Sequence, residues 1–384
     1  MEIALYHPHG YYGGGQGGQR GRDYFTSPGA HPAFGALLAV QVYQVWYLLG
    51  APSPFWVIEE GAGDGLLAHD LLAFAPHLEE RFHRSLHYLA LERGRPPHPD
   101  PAREKGAQRV LTTSLPLRPF VGCLLANEVI DAFPVHPWRV QGGIVQEAYV
   151  TLEGDRLVEV WDTPSTPALE AWVRSLGIPL EDGAQGEACL ALPTWAQEVG
   201  AVLGQGVVVV IDYGGAAPDL YRPGKRGTLR AFRKHLATGD LYRDVGRQDI
   251  TASVDFTSLE RCAREAGLEV LGFTRQAPFL RRLGWDAVRR ALLRLRLPPG
   301  EEEANRFGLQ ALVQPEGLGG YGVLLLGKAM PPTPLWGVAG LSPQGEALLE
   351  EGLRRWTPRL TPLHTPLLLG RYPHQAIPWQ GYPP

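Results

Sequence analysis

Apolar and polar positions along this chain follow two rhythms, and the switch between them outlines the fold. From about Pro32 to Leu49 the apolar residues Leu37, Leu38, Val42, Val45 and Leu49 recur at helical spacing, which predicts a helix. At Phe55 the rhythm changes to continuous apolar runs that end in polar residues. Phe55–Glu60 predicts a first strand, Leu66–Phe74 a helix, His87–Leu91 a second strand and Val110–Thr113 a short third. Gly122–Ala126 and Gly206–Ile211 are further runs of this kind, and Gly206–Ile211 is the clearest buried strand of the chain. Continuous runs alternating with helices describe an α/β fold with a mostly parallel sheet covered on both faces.

The remaining segments break that rhythm. Val135–Val160 alternates apolar and polar residues around the turns Gly142-Gly143 and Glu153-Gly154-Asp155, so a β meander is expected over about 135–161. Residues 216–255 are polar and rich in Arg, Gly and His, and a lid or substrate region is expected over about 216–300. Leu259–Gly267 and Trp285–Leu295 predict helices, and Tyr321–Leu326 a late strand. After Met330 the composition turns proline-rich, with one short helix around Pro343–Trp356. The expected division is therefore 1–54 (a glycine-rich start and a helix), 55–330 (the core) and 331–384 (a tail). The tail either drapes over the core or a neighbouring subunit, as in a homodimer, or forms a partly disordered appendage.

Composition narrows the function classes. The 384 residues suffice for a large core, and a net charge of -4 without blocks of like charge argues against nucleic acid as the main partner. Cys123, Cys189 and Cys262 are odd in number and widely spaced, which suits reduced thiols better than a disulfide framework or a metal site. The start Met1-Glu-Ile-Ala-Leu-Tyr-His7 lacks the pattern of a signal peptide, and no run approaches membrane-spanning length. A cytoplasmic location without membrane insertion is the expectation.

Chemistry collects where the runs end: Glu59, Glu92, Asn127-Glu128 and Asp212 all close apolar strands. In open parallel sheets the ligand lies beyond those carboxyl ends. Glu59-Glu-Gly61-Ala62-Gly63-Asp-Gly65 supplies a turn in which bare main chain can approach a small charged ligand. A dinucleotide fingerprint would place its third small residue at 66, which is Leu66. The G-x-G-x-G spacing after an acid instead resembles the first motif of class I methyltransferases that use S-adenosylmethionine (SAM). On that reading Glu92 takes the ribose hydroxyls, Ser114 and Leu115 flank the adenine, and Glu59 orients the turn or the ligand's amino group. Asn127, Glu128 and Asp131 stand where the transferable methyl would point. Glu128 is the first choice, and Asp131 the second, to hold a guanidinium acceptor by a bidentate bond. A plain helix cap by Asn127 and Asp131 is the structural alternative. Asp212, Tyr213, His235, Asp249, Thr251, Asp255 and Phe256 are candidates for a substrate wall or lid, and Thr26 and Ser27 for closure over the cofactor. Asp255 could equally cap the helix after it.

Taken in order, Asp23-Tyr-Phe-Thr-Ser-Pro28 with Phe34-Gly35, Glu59-x-Gly-x-Gly-x-Gly65, Asn127-Glu-x-x-Asp-Ala-x-Pro-Val135, Ile211-Asp-Tyr-Gly214, Gly227-Thr-Leu229 and Asp249-Ile-Thr-Ala-x-Val-Asp-Phe256 resemble the MidA family of SAM-dependent methyltransferases. The resemblance covers roughly residues 10–328. It implies a class I, Rossmann-like methyltransferase fold, SAM as cofactor and a protein arginine as acceptor. The family includes the mitochondrial assembly factor that methylates an arginine of a respiratory complex I subunit, so a complex I subunit is the implied partner. Glu60 stands where an apolar residue is usual, Ser253 where His is usual, and Arg275-Gln-Ala277 and Tyr321–Leu326 also depart from the family pattern. Two other classes stay open at this point. One is a non-catalytic assembly factor that binds SAM only to order itself. The other is an NAD-dependent oxidoreductase, disfavoured by Leu66 and by the lack of a convincing catalytic His or Tyr/Lys pair.

Overall fold

The computed structural model describes residues 1–13, 26–94, 100–115, 118–222, 224–233 and 236–365. In chain order the strands are Phe55–Glu60 (β1), Leu86–Glu92 (β2), Gln108–Leu111 (β3) and Phe120–Asn127 (β4). A second group follows: His136–Gln141 (β5), Ile144–Glu153 (β6), Arg156–Asp162 (β7) and Gln185–Ala188 (β8). Leu203–Asp212 (β9) returns to the centre. Five short strands come next: Gly214–Gly215 (β10), Arg230–Arg233 (β11), Leu236–Thr238 (β12), Asp249–Thr251 (β13) and Val254–Asp255 (β14). Glu269–Arg275 (β15) and Gly322–Lys328 (β16) complete the set.

The central sheet has the order β15-β16-β9-β4-β1-β2-β3. Strands β1 to β4 and β9 pair in parallel, and β16 lies antiparallel between β9 and β15. The runs lack polar alternation because both faces are buried. Along β9, Val207, Val209 and Ile211 enter one core cluster while Val208 and Val210 enter the other. The first face is covered by helices Ala33–Leu48, Leu66–Leu78, Gln276–Arg282 and Trp285–Arg294, the second by Leu192–Val202 and Phe256–Glu265. The chain winds from β1 outward through β2 and β3, then resumes at β4 on the other side of β1. The β1/β4 boundary is thus the topological switch point at which such sheets open a crevice.

Three expectations change in position. The meander is the four-stranded sheet β7-β6-β5-β8, with helix Pro167–Arg174 before β8, so it extends past 161 to Ala188. The region 216–300 is not one lid: β15 is an edge strand of the central sheet and helix Phe256–Glu265 covers a core face, because both have apolar sides to bury. Within that region, the short strands β11 to β14 lie outside the central sheet. The tail is not an appendage up to residue 365, since Leu335, Trp336, Leu349 and Leu353 complete the first core cluster. Residues 366–384 lie outside the described residues. At the other end, Ala4, Leu5 and Tyr11 pack with Ala231 and Ile250, joining the amino-terminal segment to β11 and β13.

Helix Ala33–Leu48 crosses helix Leu66–Leu78 at Gly35, where an added Cβ would stand 2.6 Å from Asp70 Cβ and 2.9 Å from the Leu71 nitrogen. Both obstacles belong to a helix that cannot shift without moving the turn before it. Gly35→Val is therefore expected to destabilise the protein by about 2 kcal/mol or more, read as a lower denaturation midpoint in urea. An unchanged midpoint would refute the close crossing.

Candidate active site at the carboxyl ends of the strands

A short glycine turn follows β1. Gly61, Gly63 and Gly65 have φ of 67°, 53° and 83°, all in the left-handed region that residues with a Cβ avoid. The Glu92 carboxylate at the end of β2 fixes the middle of the turn. Its Oε2 accepts the Gly63 N–H at 2.7 Å, and its Oε1 accepts those of Arg93 and Gly94 at 2.7 and 3.3 Å. From beneath, Arg109 donates to the Gly63 carbonyl at 3.0 Å and pairs with Asp100 at 2.9 Å. Glu59 lies under the turn and accepts a bond from the Tyr88 hydroxyl at 2.8 Å. Burial pushes its carboxyl up to about 8, against the opposing pull of Tyr88 and Arg109.

Beside this turn four acids share one wall. Glu128 follows β4 with φ of 54°, an unusual conformation for a residue with a long side chain. Its Oε1 accepts the Ser27 N–H at 3.3 Å and the Asn127 amide at 3.1 Å. Burial and then the Asp212 charge raise its carboxyl to about 8. Asp212 Oδ2 accepts the backbone N–H groups of Val129, Ile130 and Asp131 at 3.0 to 3.3 Å, holding the loop in place. Burial raises both Asp131 and Asp212, but the backbone donors draw Asp212 back down. Asp131 Oδ1 is buried without a hydrogen-bond partner among the described residues, so burial disfavours its charged form with no backbone donor on that oxygen to offset it. Asp249 completes the wall, accepting the Tyr12 hydroxyl at 2.8 Å.

One cleft, about 1500 Å³ with the open solvent at its mouth included, runs from the glycine turn to these acids. It brings together Thr26, Glu59, Gly61, Ala62, Gly63, Glu92, Ser114, Asn127, Glu128, Asp131, Tyr213, Asp249 and Thr251. Other expected residues stand elsewhere. Gly65 caps helix Leu66–Leu78, and a Cβ there would meet Ala102 and Arg109 rather than the cleft. Ser27 is buried behind the wall, where its hydroxyl donates to Gln276. Leu115 and Phe256 belong to the second core cluster, since large apolar side chains at strand and helix ends bury there. Asp212 is fully buried and acts on the loop rather than on a substrate. Asp255 caps helix Phe256–Glu265 by accepting from Thr257 and Ser258. His235 lies outside the described residues. Glu60, out of place in an apolar strand, accepts the Trp195 indole N–H at 2.8 Å. Gly227-Thr228-Leu229 is held by Glu187 of β8, which accepts from Thr228 and Leu229. Sequence reasoning missed Tyr6, Tyr12, Arg93 and Arg109, because nothing local signals a contact with residues so distant in the chain.

Comparison with known proteins decides what this cleft serves. A family model of S-adenosyl-L-methionine-dependent methyltransferases matches residues 37–274. The chain belongs to that family. A relative in Drosophila melanogaster, the mitochondrial protein arginine methyltransferase NDUFAF7 homolog, is 28% identical over 351 residues, spanning 83% of this chain and 78% of its own. Its human counterpart, NDUFAF7, is 26% identical over 333 residues, 79% of this chain and 72% of its own. A crystal structure from Burkholderia thailandensis bound to S-adenosyl-homocysteine aligns with a TM-score of 0.74 at 27% identity, covering 88% of each chain. The SAM-dependent methyltransferase reading, its fold and its cofactor thus stand, and the oxidoreductase alternative falls.

The residues present fit SAM. Bare main chain at Gly61 and Gly63 would lie against its methionine part. Glu92 lines the cleft beside the turn, where its carboxylate would meet the ribose hydroxyls, and the buried Asn127 Oδ1 has no partner among the described residues. A bound SAM supplies an electrophilic methyl group next to a positive sulfur.

The raised Glu128 carboxyl also costs stability. Between its ordinary value of 4.5 and about 8 the folded state keeps a proton that the unfolded chain has lost, so folding stability falls as pH rises through that window. Glu128→Gln removes this penalty. It is expected to match wild type near pH 4 and to exceed it by about 1 kcal/mol or more at pH 8.5, measured by urea unfolding at both pH values. A variant no more stable at pH 8.5 would place Glu128 in water rather than in a desolvated wall.

Proposed function

We propose that this chain transfers the methyl group of SAM to an arginine side chain of a protein. The observation that carries the reading is the acid wall: Glu128, Asp131 and Asp249 line the cleft beyond the glycine turn, with Asp212 behind them. Desolvated carboxyl groups in one place repel each other, and an incoming guanidinium relieves that repulsion while offering several N–H donors to several acceptors. The names of the Drosophila and human relatives, both protein arginine methyltransferases, support the same acceptor.

The residues divide the work as follows. Glu128 Oε1 is occupied by Ser27 and Asn127, which leaves Oε2 to face the acceptor. A carboxylate there aligns the guanidinium and polarises the attacking nitrogen, and proximity and orientation supply most of what an in-line transfer needs. The nitrogen loses a proton as it gains the methyl group, and Glu128, poised near neutrality, takes that proton. Asp131 contributes a second acceptor oxygen once the cation displaces its proton. Complex I as the home of the acceptor protein belongs to this proposal on the resemblance alone, and the cytoplasm as the compartment on the reading of the three cysteines as reduced thiols.

Labelled SAM, incubated with arginine-containing peptides and with the same peptides carrying lysine, is expected to label only the arginine set. Wild-type kcat/KM should climb through about pH 8 as Glu128 ionises. Glu128→Gln should flatten that profile and lower kcat/KM about 100-fold or more while leaving calorimetric SAM binding unchanged. Gly63→Val, which forces a β-branched residue to φ of 53°, should weaken SAM binding at least about 10-fold. Label in lysine, or undiminished turnover by Glu128→Gln, would overturn the assignment.

A further inference from the structure

The amino-terminal segment reaches the acceptor side of the cleft from outside the methyltransferase core. Its short helix Glu2–Tyr6 and the residues up to Gly13 are fixed by a small core of their own, in which Leu5 and Tyr11 pack on Ala231 and Ile250. That anchorage points two tyrosines into the cleft. The rings of Tyr6 and Tyr12 stack at 5.6 Å between centroids and 21° between planes. The Tyr12 hydroxyl donates to Asp249 Oδ1 at 2.8 Å, and the Tyr6 hydroxyl donates to the carbonyl of Ala132, the residue after Asp131, at 2.7 Å. On the cofactor side the Arg93 guanidinium lies 4.6 Å from the Tyr6 ring centre, directly after Glu92. One aromatic pair therefore touches the loop after Glu92, the loop of Asp131 and the start of β13 at Asp249.

We propose that Tyr12 is a positioning residue for the arginine acceptor, setting the Asp249 carboxylate in the cleft, and that stacked Tyr6 fixes this pair against the loop of Asp131. The inference rests on the acceptor reading above. It follows from which contacts exist: Tyr12 reaches an acid of the acceptor wall, whereas the glycine turn and Glu92 carboxylate are held by other partners. A bond from a hydroxyl to a carboxylate restricts how that carboxylate can turn. Without it, Asp249 stays near the acceptor but loses one of the constraints on its orientation. The loss should appear in acceptor binding and spare cofactor binding.

The test uses the full-length protein and an arginine-containing peptide. Tyr12→Phe keeps the ring, the stack on Tyr6 and the packing, and removes only the hydroxyl. It should raise KM for the peptide about 10-fold, the scale of a lost hydrogen bond to a charged group, with kcat within about twofold of wild type. SAM affinity by calorimetry should stay unchanged. Asp249→Asn and the double variant complete a cycle. If Tyr12 acts through Asp249, the double variant is no worse than Asp249→Asn alone. An unchanged KM for Tyr12→Phe, a parallel loss of SAM affinity, or additive effects in the cycle would each overturn the inference. Should Tyr12→Phe fail to fold, Tyr6→Phe reads the same wall through Ala132, and an unchanged KM there would overturn the inference equally. A wild type that binds SAM yet methylates no arginine peptide defeats the acceptor reading itself, which separates the two failures.

Discussion

The bond from the Gly63 N–H to the Glu92 carboxylate ties the turn after the first strand to the end of the second, and the rest of the site is arranged around it. A turn with three left-handed glycines has little stiffness of its own, since glycine surrenders more conformational freedom on folding than any other residue. Glu92 supplies the missing constraint from above and Arg109 from below, so the main chain is pre-set before any ligand arrives. The neighbouring Gly61 has its α-carbon against Val129, with an added Cβ only 2.8 Å from a Val129 methyl. The glycine turn and the acid-bearing loop after β4 are thus in contact, and the cofactor and acceptor ends of the cleft cannot be placed independently.

The acid wall shows the opposite economy. Asp212 is stabilised by backbone donors and orders the loop, while Asp131 and Glu128 are held in surroundings that favour their neutral forms. Such an arrangement lowers folding stability at neutral and alkaline pH. It is tolerable because the large two-faced core supplies stability elsewhere, and a cationic guest would remove the penalty on binding. Glu59 beneath the glycine turn repeats the pattern with Tyr88 as its partner. Carboxyl groups at strand ends are ordinary, but carboxyl groups buried there, with their charge disfavoured, belong to a site.

Much of this was legible along the chain. Continuous apolar runs identified strands buried on both faces, and the polar residues closing them marked the ligand side of the sheet. The glycine spacing separated a SAM site from a dinucleotide site, and Glu92 and Glu128 lie in the cleft, as their places at strand ends suggested. The errors have a common cause. Leu115 and Phe256 lie near the site in sequence, yet the second core claims them, and Asp255 takes the helix cap that was its alternative reading. Glu60 looked anomalous until Trp195, 135 residues away, supplied its hydrogen bond.

The sequence by itself determined the sheet, its two buried faces and the turn that only glycine can make, because these depend on hydrophobic period and on backbone sterics within a few residues. Tertiary structure alone decided which acids face the cleft and which cap loops, how the tail joins the core, and that Tyr12 reaches Asp249 across 237 positions. Those outcomes depend on desolvation and on hydrogen-bond partners brought from distant parts of the chain, and no local pattern encodes a partner that folding alone brings near.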